Sequence, residues 1–264
     1  MIHPNKKILY IHPPRNGGKS IESIFWKLAP VRGSSGHETI REVMTNGIDF
    51  EEEINKKINI KLNSKDLKNY YCFMFCRNPW DRLVSFYHHM IQDWNSNYLK
   101  PFEKWIKGKN RRGADYKRCL LPQSQLHFIT LNYPSKKLKR FRDKNRGGAG
   151  IMYQNINDDK LSRRMLNTEY FTEYNNKLIL NLSFLGRFEN YKSDYNTLCN
   201  NLQKHNSQLH KRLNSMSLPH HNKSTHNDYR EYYDDESIEL VSEIYADDID
   251  FFGYSFDNKN NKGK

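Results

Sequence analysis

The chain has 264 residues, of which 36% are hydrophobic, so one α/β domain with polar insertions fits it better than two full domains. Lysine and arginine outnumber aspartate and glutamate by 43 to 30, and the resulting net charge of +13 attracts polyanions. Nucleic acid, acidic glycans, anionic lipid and a multiply charged nucleotide all satisfy that charge.

The sequence contains no apolar run long enough to span a bilayer, and residues 1–7 lack the apolar stretch of a signal peptide. We therefore expect a soluble protein. The cysteines form no CxxC pair, and two of them lie in a predicted buried strand, which favours a reducing, cytoplasmic compartment. They are Cys72, Cys76, Cys119 and Cys199.

A glycine-containing loop follows the first apolar strand, at residues 8–11, and precedes a helix with an apolar stripe. Its two glycines let backbone N–H groups approach an anion, the helix N-terminus adds partial positive charge, and Arg15 and Lys19 add full charges. The pattern predicts a phosphate cradle, and an ordinary strand-to-helix turn is the alternative. The loop is His12-Pro13-Pro14-Arg15-Asn16-Gly17-Gly18-Lys19-Ser20.

The end of this loop also matches a Walker A sequence, which would indicate a nucleotide kinase. Pro13, however, occupies the place of the first Walker glycine, where the turn needs one. A kinase would also require a magnesium-binding aspartate at a strand end. This alternative is therefore the weaker one.

His37 is a candidate general base. Ser35 and Glu38 have the spacing of a capping box, which predicts that His37 lies in the first turn of a helix. The positive helix end would keep His37 neutral and able to accept a proton near pH 7. Glu38 is the second candidate base, and a solvated helix-terminal histidine is the alternative.

Further on, residues 49–68 repeat isoleucine and leucine every four residues, which predicts a surface helix.

A second candidate site lies where a continuous apolar run at 71–76 ends in Arg77. The run predicts a parallel strand covered on both faces, and Asn78 and Pro79 predict a helix that starts at once. Ser85 lies off the apolar stripe of that helix. Open α/β sheets bind ligands at the carboxyl ends of their strands, so Arg77 and Ser85 are predicted to hold an anion. The alternative is that Arg77 pairs with a structural carboxylate and Ser85 lies on the surface.

Residues 101–118 and 136–146 are strongly basic, and we hypothesise that one of these two runs forms a rim that recruits an acidic acceptor. Residues 155–181 are polar with helical propensity. A strand at 182–187 and two later helices, one capped by Asp234, are predicted to complete the domain. Adjacent histidines at 220–221 lack nearby cysteine or acid ligands, so no metal site is expected.

Residues 75–87 closely resemble the 3′-phosphate-binding motif of the sulfotransferases that use 3′-phosphoadenosine 5′-phosphosulfate (PAPS), specifically the carbohydrate O-sulfotransferase branch. In that family, residues matching Arg77 and Ser85 hold the 3′-phosphate. The loop at 12–20 is similar to the family's 5′-phosphosulfate loop, His-x-Pro-Lys-Thr-Gly-Gly-Thr-Ser. It departs from the family at three positions: Arg15 replaces the lysine that supports the leaving group, and Asn16 and Lys19 replace threonines.

The resemblance implies a P-loop NTPase-like α/β fold in three layers, with a short central parallel sheet and helices on both faces. We expect one domain at 1–257, with a basic, mostly helical insertion at about 100–181, and a disordered tail at 258–264. Shorter similarities to the family imply that residues 122–124 lie near the acceptor pocket and that residues 222–224 close over the nucleotide. A further similarity places Arg187 and Glu189 near the nucleotide, and the alternative for these two residues is a structural ion pair.

The implied activity is transfer of a sulfuryl group from PAPS to a hydroxyl of a carbohydrate, and the positive charge allows that carbohydrate to be acidic. The implied enzyme is of bacterial or viral type and needs neither metal nor nucleic acid. Because arginine hardly gives up a proton, we hypothesise that Arg15 acts electrostatically, that Lys19 carries part of the lysine's role, and that His37 is the base. A non-catalytic polyanion-binding protein is the other alternative. The implied cofactor-binding residues are Arg15, Asn16, Gly17, Gly18, Lys19, Ser20, Arg77, Ser85, Lys223 and Ser224.

Overall fold

The computed structural model describes residues 2–28, 31–33, 37–52, 57–93, 101–107, 124–132, 169–206, 213, 218–219 and 226–257. The strands are β1 (Ile2–His3), β2 (Ile8–Ile11), β3 (Val31–Gly33), β4 (Ile48–Glu52), β5 (Lys57–Ile60), β6 (Tyr71–Cys76), β7 (Phe171–Tyr174), β8 (Lys177–Leu180) and β9 (Phe184–Arg187). The α-helices are α1 (Gly18–Leu28), α2 (Ile40–Thr45), α3 (Ser64–Leu67), α4 (Pro79–Asp93), α5 (Phe102–Lys107), α6 (Gln125–Ile129), α7 (Tyr191–His205), α8 (Asp235–Ile244) and α9 (Ala246–Phe252).

A four-stranded sheet in the order β1-β2-β6-β9 forms the centre of the fold. Strands β2, β6 and β9 run parallel, with Tyr10 opposite Phe73 and Phe75 opposite Gly186, while β1 is antiparallel to β2. The carboxyl ends of β2 and β6 therefore lie side by side at one edge of the sheet. A glycine is required at position 186 in β9, since a Cβ at this position would lie 2.4 Å from the ring of Phe75.

Side chains alternate across the central sheet and divide the core into two layers. Tyr10, Phe73 and Phe75 pack with α1 and α7, as shown by the ring contact of Phe75 with Tyr191 at 5.3 Å. Their neighbours Leu9 and Met74 pack on the other face, against α4, α6 and the C-terminal helices. The strands are buried on both faces, as the continuous apolar run predicts, and the three-layer α/β fold is confirmed.

The helix predicted over 49–68 is wrong for most of its length. Strands β3, β4 and β5 form a separate antiparallel sheet, and only the short helix α3 follows. The two-residue alternation of Ile58 and Ile60 in β5, with Asn59 between them, matches the period of a strand. The four-residue spacing of the isoleucines was therefore the wrong period to follow.

The prediction that residues 155–181 are mostly helical is wrong for the described part. Strands β7 and β8 form a hairpin, and Asn175 and Asn176 at its turn have φ angles of 47° and 58°. Asparagine tolerates this left-handed conformation, which a two-residue hairpin turn of type I′ needs at both positions. Asp234 caps α8 through the backbone N–H of Ser237, as predicted.

Candidate nucleotide site and its chemistry

The loop at 12–20 joins β2 to α1 at the edge where β6 also ends. Gly17 has a φ of 75°, and a Cβ there would lie 2.9 Å from the ring of Tyr191, whose hydroxyl donates to the Gly17 carbonyl at 2.6 Å. At Gly18 a Cβ would lie 1.7 Å from Nε2 of His12. Both glycines are thus required by close packing. Gly18 also begins α1, so the loop leads directly into a helix N-terminus, where the Ser20 N–H donates to the Gly17 carbonyl at 3.1 Å.

Arg15 links the loop to the second motif. Its guanidinium donates to the Ser85 hydroxyl from Nη2 at 2.9 Å and from Nε at 3.3 Å, and its carbonyl accepts from Nη1 of Arg77 at 3.0 Å. Arg15 has a φ of 70°, a left-handed conformation that costs a non-glycine residue of order 1–3 kcal/mol. The three residues predicted to contact the two ends of the nucleotide therefore form one cluster.

Arg77 also has a structural role. Its Nε donates to Asp81 at 2.8 Å, and its guanidinium lies over the ring of Phe188 at 4.1 Å. The alternative of a structural carboxylate partner is thus observed, in the same side chain that reaches the loop. Ser85 is buried rather than on the surface, because it faces the loop at Arg15. Asn78 caps α4 through the backbone N–H of Trp80, as predicted.

The side chain of Asn16 is buried against the protein and cannot contact a cofactor. The side chain is fully buried, and its Nδ2 donates to the Phe75 carbonyl and to Oε1 of Gln125, each at 2.7 Å. Asn16 therefore fastens the loop to the end of β6, and any contact of Asn16 with a ligand falls to its backbone. Arg82 fastens the same loop, because its Nε donates to the Pro14 carbonyl at 2.9 Å.

A buried carboxylate that the sequence analysis missed lies behind the loop. Glu22 accepts from Nδ1 of His12 at 2.8 Å and from Nζ of Lys19 at 3.3 Å. Burial lowers the pKa of His12. Burial alone would raise the pKa of Glu22, but the hydrogen bond and charge of His12, together with the charge of Lys19, lower the pKa of Glu22 overall. At neutral pH the pair is a neutral imidazole and a carboxylate. The only signal in the sequence was an acid between Ile21 and Ile24 in the apolar stripe of α1.

His37 lies before α2 and not in its first turn, so the predicted capping box is wrong. Thr39 is the N-cap, and its capping box is completed by Glu42. Nδ1 of His37 lies 2.9 Å from the carbonyl of His12, and the two rings are 4.4 Å apart. Burial, followed by the charge of His12, lowers the pKa of His37 to about 4. His37 is thus neutral at pH 7, as predicted, but burial and not a helix end is the cause.

The Nδ1 contact also fixes which ring nitrogen of His37 carries the proton. A carbonyl oxygen only accepts hydrogen bonds, so Nδ1 must be the protonated nitrogen and Nε2 keeps its lone pair. The ring is therefore in the state that a general base requires.

Comparison with known families decides between the candidate functions. A family model described as the sulfotransferase family matches residues 1–255. The chain belongs to the sulfotransferase family. It is a PAPS-dependent enzyme, and the kinase and non-catalytic alternatives are set aside. Among solved structures, it is similar to mouse sulfotransferase SULT7A1 complexed with PAP, at 14% identity over 94% of this chain and 86% of that chain, with a TM-score of 0.40. The curated proteins contain no match.

The remaining residues predicted to lie near the nucleotide or the acceptor are only partly described in the structure of this sulfotransferase. Glu189 accepts from the Asn78 backbone N–H at 2.5 Å, and Arg187 donates to the Phe252 carbonyl at 2.6 Å, so each side chain braces the edge near the nucleotide motif. Lys223, Ser224 and Ser35 lie outside the described residues, as do the second basic run and most of the first. Within the described ranges, no helix has the length and apolar character needed to cross a membrane.

Proposed function

We propose that the sulfotransferase binds PAPS across the edge formed by β2 and β6 and transfers its sulfuryl group to a hydroxyl of a carbohydrate. The observation that carries this proposal is the cluster of Arg15, Ser85 and Arg77, which joins the loop similar to the 5′-phosphosulfate loop to the motif similar to the 3′-phosphate site. The chemistry of the cradle fits such a ligand, since it combines a helix N-terminus, two closely packed glycines and guanidinium groups.

PAPS supplies the sulfuryl group and a phosphate leaving group. In the proposed mechanism, Nε2 of His37 takes the proton of the acceptor hydroxyl, so that the oxygen becomes able to attack sulfur. Arg15, Lys19 and the first amides of α1 stabilise the negative charge that develops on the phosphate as its bond to sulfur breaks. Lys19 is 48% exposed and is held by Glu22, which orients its ammonium while leaving it accessible.

The carbohydrate acceptor is proposed on two grounds. The motif at 75–87 resembles the carbohydrate O-sulfotransferase branch, and the net charge of +13 favours an acidic chain over a neutral one. Transfer of radiolabelled sulfate from PAPS to a panel that contains a small phenol, a neutral glucan, a chondroitin backbone and a heparosan backbone tests the acceptor class. Labelling of the acidic polysaccharides supports the proposal, and labelling of small phenols alone would contradict it.

The donor site is tested separately, by calorimetric titration with PAP, the product of the reaction, and with ATP as competitor. We expect PAP to bind the wild type and ATP to compete weakly. Ser85→Ala should weaken PAP binding about tenfold, because it removes one hydrogen bond to a charged group. Ser242→Ala is the matched control, since it also removes one serine hydroxyl, which here donates to the Ile238 carbonyl within α8. No binding by the wild type would reject the proposed site.

A further inference from the structure

Gln125, the first residue of α6, is fully buried and lies between the two halves of the proposed nucleotide site. Its Oε1 accepts from Nδ2 of Asn16 in the loop at 2.7 Å and from the backbone N–H of Arg77 at 2.8 Å. Its Nε2 donates to the Arg77 carbonyl at 2.8 Å. One amide group therefore contacts both halves at once.

The orientation of both amides follows from their partners. The Phe75 carbonyl and Oε1 of Gln125 can only accept, so the nitrogen of Asn16 must face them. The Arg77 backbone presents one donor and one acceptor, and Gln125 matches both. A flipped Gln125 amide would place an oxygen against the Arg77 carbonyl. Only this orientation satisfies both amide atoms of Gln125 and the nitrogen of Asn16, which favours a rigid spacer.

Gln125 is itself held from behind by Asp248 on α9. The Asp248 carboxylate accepts from the backbone N–H groups of Gln125 at 2.7 Å and Leu126 at 2.9 Å, and from the Ser124 hydroxyl at 2.6 Å. Burial raises the pKa of Asp248, against the charge of Arg82 and these hydrogen bonds, which lower it. A C-terminal helix thereby fixes the start of α6, and α6 presents the Gln125 amide to the site.

We propose that Gln125 is a positioning residue that sets the spacing between the loop at 12–20 and Arg77, and so determines how well the site binds a ligand with a phosphate group at each end. This inference rests on the proposed function. A ligand such as PAP gains from both halves only when their separation matches its own, in the way that a bivalent ligand gains from correctly spaced sites. A ligand with one phosphate does not depend on that separation.

The test compares three nucleotides by calorimetry: PAP, 5′-AMP and 3′-AMP. In Gln125→Met, which keeps the length of the side chain but not its polar contacts, PAP affinity should fall about 10- to 100-fold, the order expected for misplacement by about 1 Å. The affinities for 5′-AMP and 3′-AMP should not change. Leu126→Ala is the control, because it removes a buried side chain from the same helix and leaves the amide contacts in place.

Asn16→Ala provides a second variant if Gln125→Met does not fold, since it breaks the loop side of the contact and leaves Gln125 bound to Arg77. It should show the same selective loss of PAP affinity. An unchanged PAP affinity, or an equal loss for all three nucleotides, would overturn the inference while leaving the proposed function intact. A wild type that binds neither PAP nor the two monophosphates would reject both together.

Discussion

The nucleotide side of the site and the side that carries His37 are built differently. The loop at 12–20 is fastened from three directions, by Tyr191, Arg82 and the buried amide of Gln125 acting through Asn16. His37 is held through His12, by a hydrogen bond to its carbonyl and by ring contact. The loop is thus held by several elements, whereas the contacts of His37 with other described residues are those with His12. Changes on the two sides should therefore separate binding from chemistry.

The largest separation is expected for His37→Ala. Loss of a general base should lower the rate of PAP formation from PAPS and a glycan acceptor by about 10²–10⁴-fold. PAP affinity should stay at the wild-type value, because the loop does not depend on His37. Single-turnover kinetics and calorimetry measure the two quantities. A variant with a wild-type rate would exclude His37 as the base, and Glu38→Gln would then be the next variant to test.

The pH profile sharpens the same assignment. A base must be neutral to accept a proton, so activity that depends on His37 is lost as the pH falls through its pKa of about 4 and is constant above it. We expect the rate from His37 to be flat between pH 6 and 8. An acidic limb centred near pH 6.5, the ordinary histidine value, would contradict the burial of this ring.

Arg15 should affect both the rate and PAP binding, because it belongs to the loop at 12–20 and its guanidinium also donates to Ser85. Arg15→Ala should lower the rate about 10²–10³-fold, as expected when one group that stabilises transition-state charge is removed, and should also weaken PAP binding. Arg15→Lys restores the family residue and keeps the charge, so most of the rate should return. Equal losses in the two variants would indicate that the guanidinium geometry, and not the charge, is what the site needs.

The strands and helices that carry Arg15 and Arg77 were predicted correctly from the sequence because their signals are local. The apolar run at 71–76, the cap at Asn78 and the glycine loop each depend on neighbouring residues, and the parallel pairing of β2 with β6 then brings Arg15 and Arg77 together. The start of the helix that follows His37 was predicted less well. The sequence contains two consecutive capping-box patterns, one from Ser35 to Glu38 and one from Thr39 to Glu42, and the helix begins at the second. Sequence spacing cannot rank two competing caps.

Gln125 and Glu22 were missed for different reasons. The contact of Gln125 with Asn16 joins residues 109 positions apart, and nothing near Gln125 in the sequence indicates it. Glu22 did leave a local signal, an acid inside an apolar helical stripe, which a buried carboxylate hydrogen-bonded to His12 and paired with Lys19 explains. An isolated acid in such a stripe therefore indicates a buried polar contact, and its partner is found only when the strands are assembled.

The smallest of the expected effects concerns the link between the two sides, and Glu22→Gln tests it. The change keeps the shape of the side chain but removes the charge that holds His12 and Lys19, so the free energy of unfolding at pH 7 should fall by about 1–3 kcal/mol. Because the pKa of Glu22 is lower in the folded than in the unfolded state, the carboxylate stabilises the fold above its unfolded-state pKa, and this contribution is lost as the pH falls through the folded-state pKa. Urea unfolding at pH 7 and in acid measures the loss of stability and its dependence on pH.

Glu239→Gln, an exposed acid on α8, is the control and should change stability by less than about 0.5 kcal/mol. A Glu22→Gln variant as stable as this control would show that the charge of the buried carboxylate does not hold His12 and Lys19 in place, and that the position of His37 against His12 does not depend on it.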